Sequence, residues 1–522
     1  MQNIFKKLTV FGVLLVVAVF AVACGADDNN DSGSADSSRD YLVVGLASEV
    51  RSIDLHATND QASAIIMNHI FETLVVQDEN MNLNPGLALD WELVEENRIW
   101  EFNLREDVYF HNEEPFTAHD VAFTFNRAVE SAHVEAILGM VDPSTIEVID
   151  DHTVRVGTFE PFAPFLAHLA HSAAGIMNEI AVEQANDVER QPVGTGPFTL
   201  LEWVSGDRIV LERFEDYHAS IPGFPMPTIR EITVRQMPDQ TSRLNALETG
   251  EIDMDLNPQV DNFSTIESYD NLKIISVEGL RTEYIGMNSN HPYLSNPLVR
   301  QAINYAVDVD DIVVNIYQSH GIAGTTVISG SVFGHNPNVE PFPFDLDRAR
   351  ELMAEAGLED GFSATIYANV ERQDRVDIIT IVAYRLAEIG IDLEVQTMDW
   401  PTLLTVLDDG EADMFALGWT TLTGDADYGL FPLFHSSQAG AAGNQTFFAN
   451  DDVDRLLDAA RNSTDPDERL AYYFEAQEII REETPWIIML QEEPTVALLS
   501  SIEGFTLLPT TTHYFGNITF SE

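Results

Sequence analysis

The chain has 522 residues, with 26 Lys and Arg against 86 Asp and Glu, so its formal net charge is -60 at pH 7. Nucleic acids and anionic lipids require a basic surface, so this charge excludes ordinary roles on DNA, RNA or such lipids. Lysine occurs only at positions 6, 7 and 273, which excludes a Gly-Lys-Ser/Thr phosphate loop. The 45% hydrophobic content is that of a globular protein, and the length predicts two or more lobes.

The N-terminal segment predicts export. Two lysines precede an apolar run over residues 8–23, which is too short for a stable membrane span, so residues 1–23 are interpreted as a signal peptide. The sequence Ala21-Val22-Ala23-Cys24 resembles a bacterial lipobox and holds the only cysteine of the chain. We expect Cys24 to carry a lipid anchor and the polar residues 24–40 to form a flexible tether. Plain secretion with an unpaired cysteine is the alternative.

Strands and helices alternate along the mature chain. Residues 99–105 predict a strand, because Trp100, Phe102 and Leu104 alternate with polar residues. Thr117 and Asp120 then form the pattern of a capping box, which predicts the start of a helix.

The later part of the chain continues this alternation. Asp345 predicts a helix cap and Gly357 the end of that helix. An apolar stripe from Val453 to Ala460 predicts a second helix, and Asp465-Pro466 opens a third. Short strands are predicted at residues 209–213, 231–235, 272–277 and 486–490. The pattern indicates a large mixed α/β protein.

Motifs for catalysis and metal binding are absent from the sequence. It contains no His-Glu-x-x-His, no Gly-x-Ser-x-Gly and no cysteine spacing for zinc. We therefore predict no enzymatic activity, no catalytic residue, no cofactor and no metal site.

Several long sequence blocks resemble the family 5 extracytoplasmic solute-binding proteins, the peptide, nickel and opine receptors of ABC importers. The resemblance covers the chain from Tyr41 to its end, in order. The blocks are Trp91-Glu92-Leu93 with Trp100 to Val108, Phe110-His111 and Pro115 to Val121; Pro192 to Phe198 with Trp203, Gly206, Leu211-Glu212-Arg213 and Tyr217; Asn296 to Ala306; and the helix at 345–357. One departure is Asp216-Tyr217-His218, where the family usually has Asp-Tyr-Trp.

The resemblance implies a two-lobed, periplasmic-binding-protein-like α/β fold of type II, cluster C. Lobe one is expected at residues 41–280, with an extra subdomain inserted at about 56–190. Lobe two is expected at 281–490, and residues 491–522 return to lobe one. Such a protein is an extracytoplasmic receptor, here expected to be a monomer, that closes on its ligand and delivers it to the permease of an ABC importer.

The resemblance also suggests ligand-binding residues for a short peptide. The segment from Gly418 to Tyr428 lies where the peptide-binding branch carries its Trp and the Asp that holds the ligand amine, which nominates Trp419 and Asp425, with Asp427 second. A core position for Trp419 and a cap role for either aspartate are the alternatives. The remaining nominations are Arg281, Arg372 and Arg375 for the ligand carboxylate, Tyr284 beside Arg281, and Asn444. Arg372 and Arg375 are expected in a loop before a helix at 376–390.

Three classes of function remain open. Short peptides are the first, and the run Pro432-Leu433-Phe434-His435-Ser436 resembles a glutathione-importing branch, so γ-glutamyl peptides fall within this class. A nickel-complex or opine receptor is the runner-up, with His435 and His111 as available side chains. A secreted hydrolase is the remote alternative, for which no segment displays a site.

Overall fold

The structure, a computed structural model, describes residues 39–521 except 59, 96–97, 186, 371, 441–442 and 512. The predicted signal peptide and the predicted anchor Cys24 lie outside the described residues. Two large β-sheets, each covered by helices, organise the described chain.

The strands are β1 (Tyr41–Leu46), β2 (Val75–Gln77), β3 (Leu83–Pro85), β4 (Ala88–Glu95), β5 (Ile99–Leu104), β6 (Glu147–Asp150), β7 (Thr153–Gly157), β8 (Phe198–Val204), β9 (Arg208–Arg213), β10 (Glu231–Gln236), β11 (Met254–Asp255), β12 (Leu272–Ser276), β13 (Arg281–Met287), β14 (Ile322–Ala323), β15 (Phe362–Asn369), β16 (Ile391–Met398), β17 (Met414–Thr420), β18 (Trp486–Gln491), β19 (Thr495–Leu499), β20 (Ile502–Glu503) and β21 (Thr519–Phe520).

The helices are α1 (Gln61–Ile70), α2 (Ala118–Ala128), α3 (Glu135–Leu138), α4 (Phe165–Leu169), α5 (Glu179–Gln184), α6 (Gln240–Thr249), α7 (Phe263–Glu267), α8 (Pro297–Ala306), α9 (Val309–Ile316), α10 (Leu346–Glu355), α11 (Gln373–Ala387), α12 (Trp400–Asp408), α13 (Ala426–Phe434), α14 (Asp451–Asn462) and α15 (Pro466–Glu483).

The two large sheets divide the chain into what we call lobe one and lobe two. Lobe one is built on a seven-stranded sheet of order β12-β19-β11-β1-β10-β9-β8, and lobe two on a six-stranded sheet of order β14-β18-β13-β17-β15-β16. The chain passes between the sheets after β12 and returns after β18, so β19 belongs to lobe one. The lobe boundaries at 280/281 and 490/491 remain predictions. The chain passes from one large sheet to the other near both positions, between β12 and β13 and between β18 and β19.

The two crossing segments, residues 277–280 and 492–494, lie against each other. The Gly279 amide donates to the Glu492 carbonyl at 3.0 Å, and the Glu492 amide donates to the Arg281 carbonyl at 2.9 Å. A Cβ on Gly279 would lie 2.5 Å from Cδ of Pro494, so only glycine permits this approach. The lobes are therefore joined by a narrow double connection, which leaves a cleft beside it.

A four-stranded antiparallel sheet of order β4-β5-β7-β6 lies within the lobe-one part of the chain. It has its own hydrophobic core, in which α2 packs on the sheet. The largest fully buried side chains of this core are Phe102, Phe110, Phe116, Phe125 and Phe165. This core is separate from the one beneath the seven-stranded sheet; we call the small sheet with its core the subdomain, and its bounds at about 56–190 remain a prediction.

The predictions that rest on a helix cap or on alternating apolar residues agree with the structure. Strand β5 buries Phe102 and Leu104 as predicted, and the Asp120 carboxylate accepts from the Thr117 amide and hydroxyl, both at 3.0 Å, at the start of α2. Asp345 caps α10, and Asp465 caps α15. The predicted helix at 376–390 is wrong at its start: α11 begins at Gln373, so Arg375 is helical rather than in a loop.

Candidate ligand-binding site

A cavity of about 890 Å³ lies in the cleft between the lobes, which is a volume typical of ligand sites. Both lobes and the second crossing segment line it. The charged and aromatic side chains on its wall include Asp261 and Phe263 of lobe one, Tyr317, Arg372, Asp374 and Asp377 of lobe two, and Glu492 and Glu493 of the crossing.

Three arginines meet on one buried carboxylate, that of Glu283, whose side chain is 4% exposed. Arg375 Nη2 lies 2.9 Å from Glu283 Oε2, and Arg281 Nε lies 2.8 Å from Oε1. Arg372 Nη2 lies 3.4 Å from Oε1. The structure thus brings together the three arginines that the sequence nominated separately. We call this group, Arg281, Glu283, Arg372 and Arg375, the arginine cluster.

Strand geometry explains how this cluster forms. Arg281 and Glu283 are two residues apart in β13, so both side chains project from the same face of the sheet. The facing strand β17 places Gly418 opposite Glu283, and a Cβ there would lie 2.5 Å from both Arg281 Nη2 and Glu283 Oε1. The absence of a side chain at Gly418 therefore creates the space for the ion pairs. Alternation along β13 was the sequence signal that would have pointed to Glu283.

Arg372 is the member of the cluster that lines the cavity, and 35% of its side chain is exposed. It occupies the N-cap position of α11 without a side-chain cap bond and pairs with Asp374, with Nη2 2.7 Å from Oδ2 and Nε 2.9 Å from Oδ1. The hydrogen bond to Asp374 is the largest of the effects that raise the pKa of Arg372. Tyr317 donates its hydroxyl proton to Asp374 at 3.1 Å. A ligand carboxylate in the cavity would find a permanently charged, preorganised guanidinium.

Glu492 brings a further carboxylate to this wall. Its Oε2 lies 3.6 Å from Arg281 Nε. Removal from water raises the pKa of Glu492, an effect that Arg281 opposes and Glu283 reinforces. The wall therefore holds both charge signs within a small region, as a zwitterionic ligand requires.

Two contacts between residues of the cavity wall join lobe one to lobe two. Gln318 Nε2 of lobe two donates to Asp261 Oδ1 of lobe one at 2.8 Å. The rings of His320 and Phe263 meet edge to face, with centroids 4.5 Å apart. The sequence offered no signal for these contacts, because they join segments that only the packing of the lobes brings together.

Asp425 lies in a second charged group, in the interior of lobe two. It caps α13, and both of its carboxylate oxygens lie 2.8 Å from Arg469 Nη2. The side chains of Asp425 and Arg469 are 6% and 10% exposed. The cap alternative for Asp425 is thus what the structure displays, and amine binding would require Arg469 to release it.

Asp427 and Trp419 also make contacts within lobe two. Asp427 Oδ1 lies 3.0 Å from Arg461 Nε, and Trp419 is half-buried with its indole nitrogen donating to the Tyr428 carbonyl at 2.8 Å. Arg461 also reaches the subdomain, because its carbonyl accepts from the Ala163 amide at 2.8 Å. This group therefore fixes the subdomain against lobe two.

Tyr284 and Asn444 are both buried in the structure. The Tyr284 ring stacks on Trp486 with centroids 3.4 Å apart, because an odd spacing from Arg281 turns it to the other face of β13. Asn444 is 0% exposed, and its amide bonds the carbonyls of Phe448 and His435 at 2.8 and 3.3 Å. Neither geometry offers the side chain to a ligand, which corrects both nominations.

The residue that departs from the family pattern, His218, lies against the buried Glu72. His218 Nε2 is 2.9 Å from Glu72 Oε2, and Tyr217 and Thr195 donate their hydroxyls to the same carboxylate at 2.8 Å. Glu72 forms part of the wall of a smaller cavity of about 120 Å³, together with Phe71 and Tyr514. A histidine in place of tryptophan thus completes a buried polar network.

His111 and His435, the two histidines considered as side chains for a metal complex, have other partners in the structure. Burial lowers the pKa of His111 to about 4, and its Nε2 lies 2.8 Å from the Gly196 carbonyl oxygen. His435 Nε2 lies 3.5 Å from Asp458. Within the described chain, no three His, Cys, Asp or Glu side chains are arranged to hold a metal ion. A helix long and apolar enough to cross a membrane is likewise not found among these residues.

Comparison with known proteins identifies the family. The model of the bacterial extracellular solute-binding proteins, family 5 Middle, matches residues 82–441, more than half of the chain. The chain belongs to this family. Family 5 consists of non-catalytic solute-binding proteins that serve ABC transporters, so the predicted resemblance and the predicted lack of enzymatic activity are confirmed.

Relatives and solved structures support this assignment over nearly the whole chain. The glutathione-binding protein GsiB of Salmonella typhi is 29% identical over 478 residues, which cover 90% of this chain and 92% of GsiB. DppA of Helicobacter pylori, solved with the peptide STSA, is 29% identical with a TM-score of 0.75 and covers 92% of this chain and 98% of its own. HbpA2 of Haemophilus parasuis is 26% identical with a TM-score of 0.83, covering 92% and 100%. The predicted fold class is confirmed.

The buried pair of Asp425 and Arg469 gives a stability prediction. We expect Asp425→Asn to lower the free energy of unfolding by about 3–5 kcal/mol, because it leaves the Arg469 guanidinium buried without a counter-ion. The control is Asp452→Asn, whose partner Arg455 is on the surface, with an expected loss below about 1 kcal/mol. Urea denaturation of the two variants measures both, and equal small losses would contradict the assignment.

Asp427 gives a pH prediction. Burial raises the pKa of its carboxyl to about 6, with Arg461 opposing and Asp425 adding to the rise. The folded protein therefore holds this proton more tightly than the unfolded chain, so stability from this group is present at pH 4 and is lost as the pH rises through about 6. We expect the stability of wild type relative to Asp427→Asn to fall over this interval. Parallel profiles of the urea midpoint for the two proteins would argue against the shift.

Proposed function

We propose that this protein captures short peptides in the cleft between its lobes and delivers them to the permease of an ABC importer. The observation that carries the proposal is the position of Arg372, a partly exposed guanidinium on the wall of an 890 Å³ cavity, held in place by Glu283 and Asp374. Its planar fork matches the geometry of a terminal carboxylate.

The buried members of the arginine cluster support this role. Arg375, whose side chain is 5% exposed, forms a buried ion pair with Glu283. Because Arg375 balances the charge of Glu283, Arg372 is not needed as its sole counter-ion. Arg281, with 25% of its side chain exposed, offers a second guanidinium beside the first. A carboxylate that enters the cavity would compete with Asp374 for Arg372 without leaving Glu283 unpaired.

The ligand ammonium has several carboxylates available on the same wall. Asp261, Glu492 and Glu493 all line the cavity, with Asp261 bonded to Gln318 and Glu492 3.6 Å from Arg281, whereas Asp425 is not on this wall and is paired with Arg469. We therefore assign the ammonium to the cavity-lining carboxylates and retain Asp425 as a second possibility that requires rearrangement. Burial of both ligand charges without partners would cost several kcal/mol, so both kinds of partner are needed in one cavity.

Glutathione-like γ-glutamyl peptides are the specific candidate within this class. GsiB, named for glutathione binding, resembles this chain over 90% of its length. Glutathione carries two carboxylates and one ammonium, and Arg372 on the cavity wall would take one carboxylate; Arg281, which shares Glu283 with it, is 25% exposed but is not part of that wall. A nickel complex or an opine stays the alternative cargo and would draw on the same arginines.

Arg372→Gln tests the proposal. We expect a loss of about tenfold to a hundredfold in affinity for glutathione or for the peptide Ser-Thr-Ser-Ala, since one charge-assisted hydrogen-bond pair contributes about 1.5–3 kcal/mol. The control Arg350→Gln removes an exposed arginine of α10 in the same lobe and is expected to bind like wild type. Titration calorimetry gives the affinities.

Mass spectrometry of ligand released from the purified wild-type protein accompanies this titration. Recovery of a peptide supports the proposal, whereas recovery of a metal chelate or an opine overturns it. Equal affinities of Arg372→Gln and wild type for every peptide would remove Arg372 from the carboxylate site.

We further propose that Cys24 is lipidated and anchors the protein to the outer side of the cell membrane through residues 24–40. Two observations from the sequence support the anchor: the lipobox-like sequence before Cys24 and the polar tether after it. We expect Cys24→Ser to shift the protein from the membrane fraction to the soluble fraction of cells. Intact-mass measurement of the N-terminal peptide checks for the lipid, and an unmodified, membrane-free wild type would contradict the proposal.

A further inference from the structure

Arg481 differs from most arginines of this acidic protein in its surroundings. Within the described chain, no Asp or Glu lies within ion-pair distance of it, although the sequence contains 86 acidic residues. Its Nε donates to the Glu340 carbonyl at 2.8 Å, and its guanidinium carbon lies 3.1 Å from the centre of the Phe342 ring. Neither terminal nitrogen has a hydrogen-bond acceptor among the described residues.

This arginine lines a cavity of about 580 Å³ that lies wholly within lobe two. The cavity shares no lining residue with the 890 Å³ cleft cavity. It lies between the C-terminal half of α15, the edge strand β14 and the loop of residues 339–344. We call it the lobe-two cavity.

The walls of the lobe-two cavity are mainly apolar. Phe342 is fixed between the Arg481 guanidinium and the Tyr305 ring, whose centroid lies 5.1 Å away at an edge-to-face angle. The sequence Pro341-Phe342-Pro343-Phe344 restrains the loop, because each proline fixes its own backbone angle. Ile480 on α15 and Ile488 on β18 complete the apolar surface. Such walls suit the hydrocarbon body of a small molecule.

The charge of Arg481 selects the polar group of that molecule. Burial lowers its pKa to about 10, which leaves it cationic at neutral pH. A guanidinium with two free terminal nitrogens presents a fork that fits a carboxylate. Asp308, Asp310 and Glu340 also line the cavity, and their negative charge disfavours ligands that carry several anionic groups.

We propose that the lobe-two cavity is a second ligand site, separate from the cleft, which takes a small monocarboxylate with an apolar or aromatic body. The carboxylate binds the terminal nitrogens of Arg481, and the body packs against Phe342, Ile480 and Ile488. A single molecule would replace the solvent at the terminal nitrogens of Arg481 and fill the apolar volume beside them.

The test uses N-acetyl-L-phenylalanine as the probe, with its neutral C-terminal amide as the matched ligand. Titration calorimetry of the full chain is expected to show saturable binding of the acid and at least tenfold weaker binding of the amide. Arg481→Gln is expected to lose at least tenfold in affinity for the acid. Arg481→Lys keeps the charge without the fork and is expected to lie between the two.

Two control variants locate the site. Arg190→Gln removes an arginine that also stacks on an aromatic ring, 3.8 Å from the centre of Trp203, but in lobe one. Arg372→Gln removes the guanidinium of the cleft cavity. Arg190→Gln is expected to bind the probe like wild type, Arg372→Gln reports any of the probe that binds in the cleft instead, and circular dichroism confirms that all variants fold.

Three results would overturn the proposal. They are no saturable binding of the acid to wild type at millimolar concentrations, equal affinity of wild type and both folded Arg481 variants, or loss of binding in Arg372→Gln, which would place the probe in the cleft. Because the Arg372 variant separates the two cavities, a failure here leaves the proposed peptide function of the cleft unaffected.

Discussion

The buried carboxylate of Glu283 holds together the three arginines beside the cleft cavity. It joins β13 to the N-terminus of α11 through Arg375 and Arg372, and it orients Arg281 beside the second crossing segment. A single carboxylate with three guanidiniums is electrostatically incomplete, and Asp374 and Glu492 supply the remaining negative charge. The arrangement keeps Arg372 at the cavity wall while most of its neighbours remain buried, so a ligand meets a fixed cation rather than a mobile one.

Most of the buried arginines of this acidic protein pair with a carboxylate, whereas Arg105 donates to the Gly86 carbonyl. In the described chain, Arg243, Arg300, Arg375 and Arg469 each pair with a carboxylate while buried, and the last three join segments 44 to 183 residues apart in sequence. Arg469, for example, meets Asp425 over a separation of 44 residues. Most of the acidic side chains are expected at the surface, where they are solvated, and only some of the scarce arginines, such as Arg300 and Arg469, are buried in ion pairs.

Local structure was predictable from the sequence because its causes are local. Thr117 and Asp120 are three residues apart, and Asp345 and Gly357 each act on the adjacent end of one helix, so caps and strand alternation identified the elements. The site was only partly predictable, since Arg372 meets Glu283 across 89 residues and Asp425 meets Arg469 across 44. Those pairs depend on how β13, α11, α13 and α15 pack, which no local pattern encodes. The sequence already argued against nominating Tyr284 beside Arg281, because the odd spacing of the two residues places them on opposite faces of a strand.

The central claim is that a short peptide binds in the interlobe cavity with its carboxylate on Arg372. The most direct measurement is a crystal structure of the protein with the ligand that copurifies with it. We expect electron density within the 890 Å³ cavity, with a ligand carboxylate within hydrogen-bond distance of the Arg372 guanidinium and its ammonium near Asp261, Glu492 or Glu493. Ligand density confined to the smaller cavity beside Glu72, or a ligand that leaves Arg372 paired only with Asp374, would contradict it.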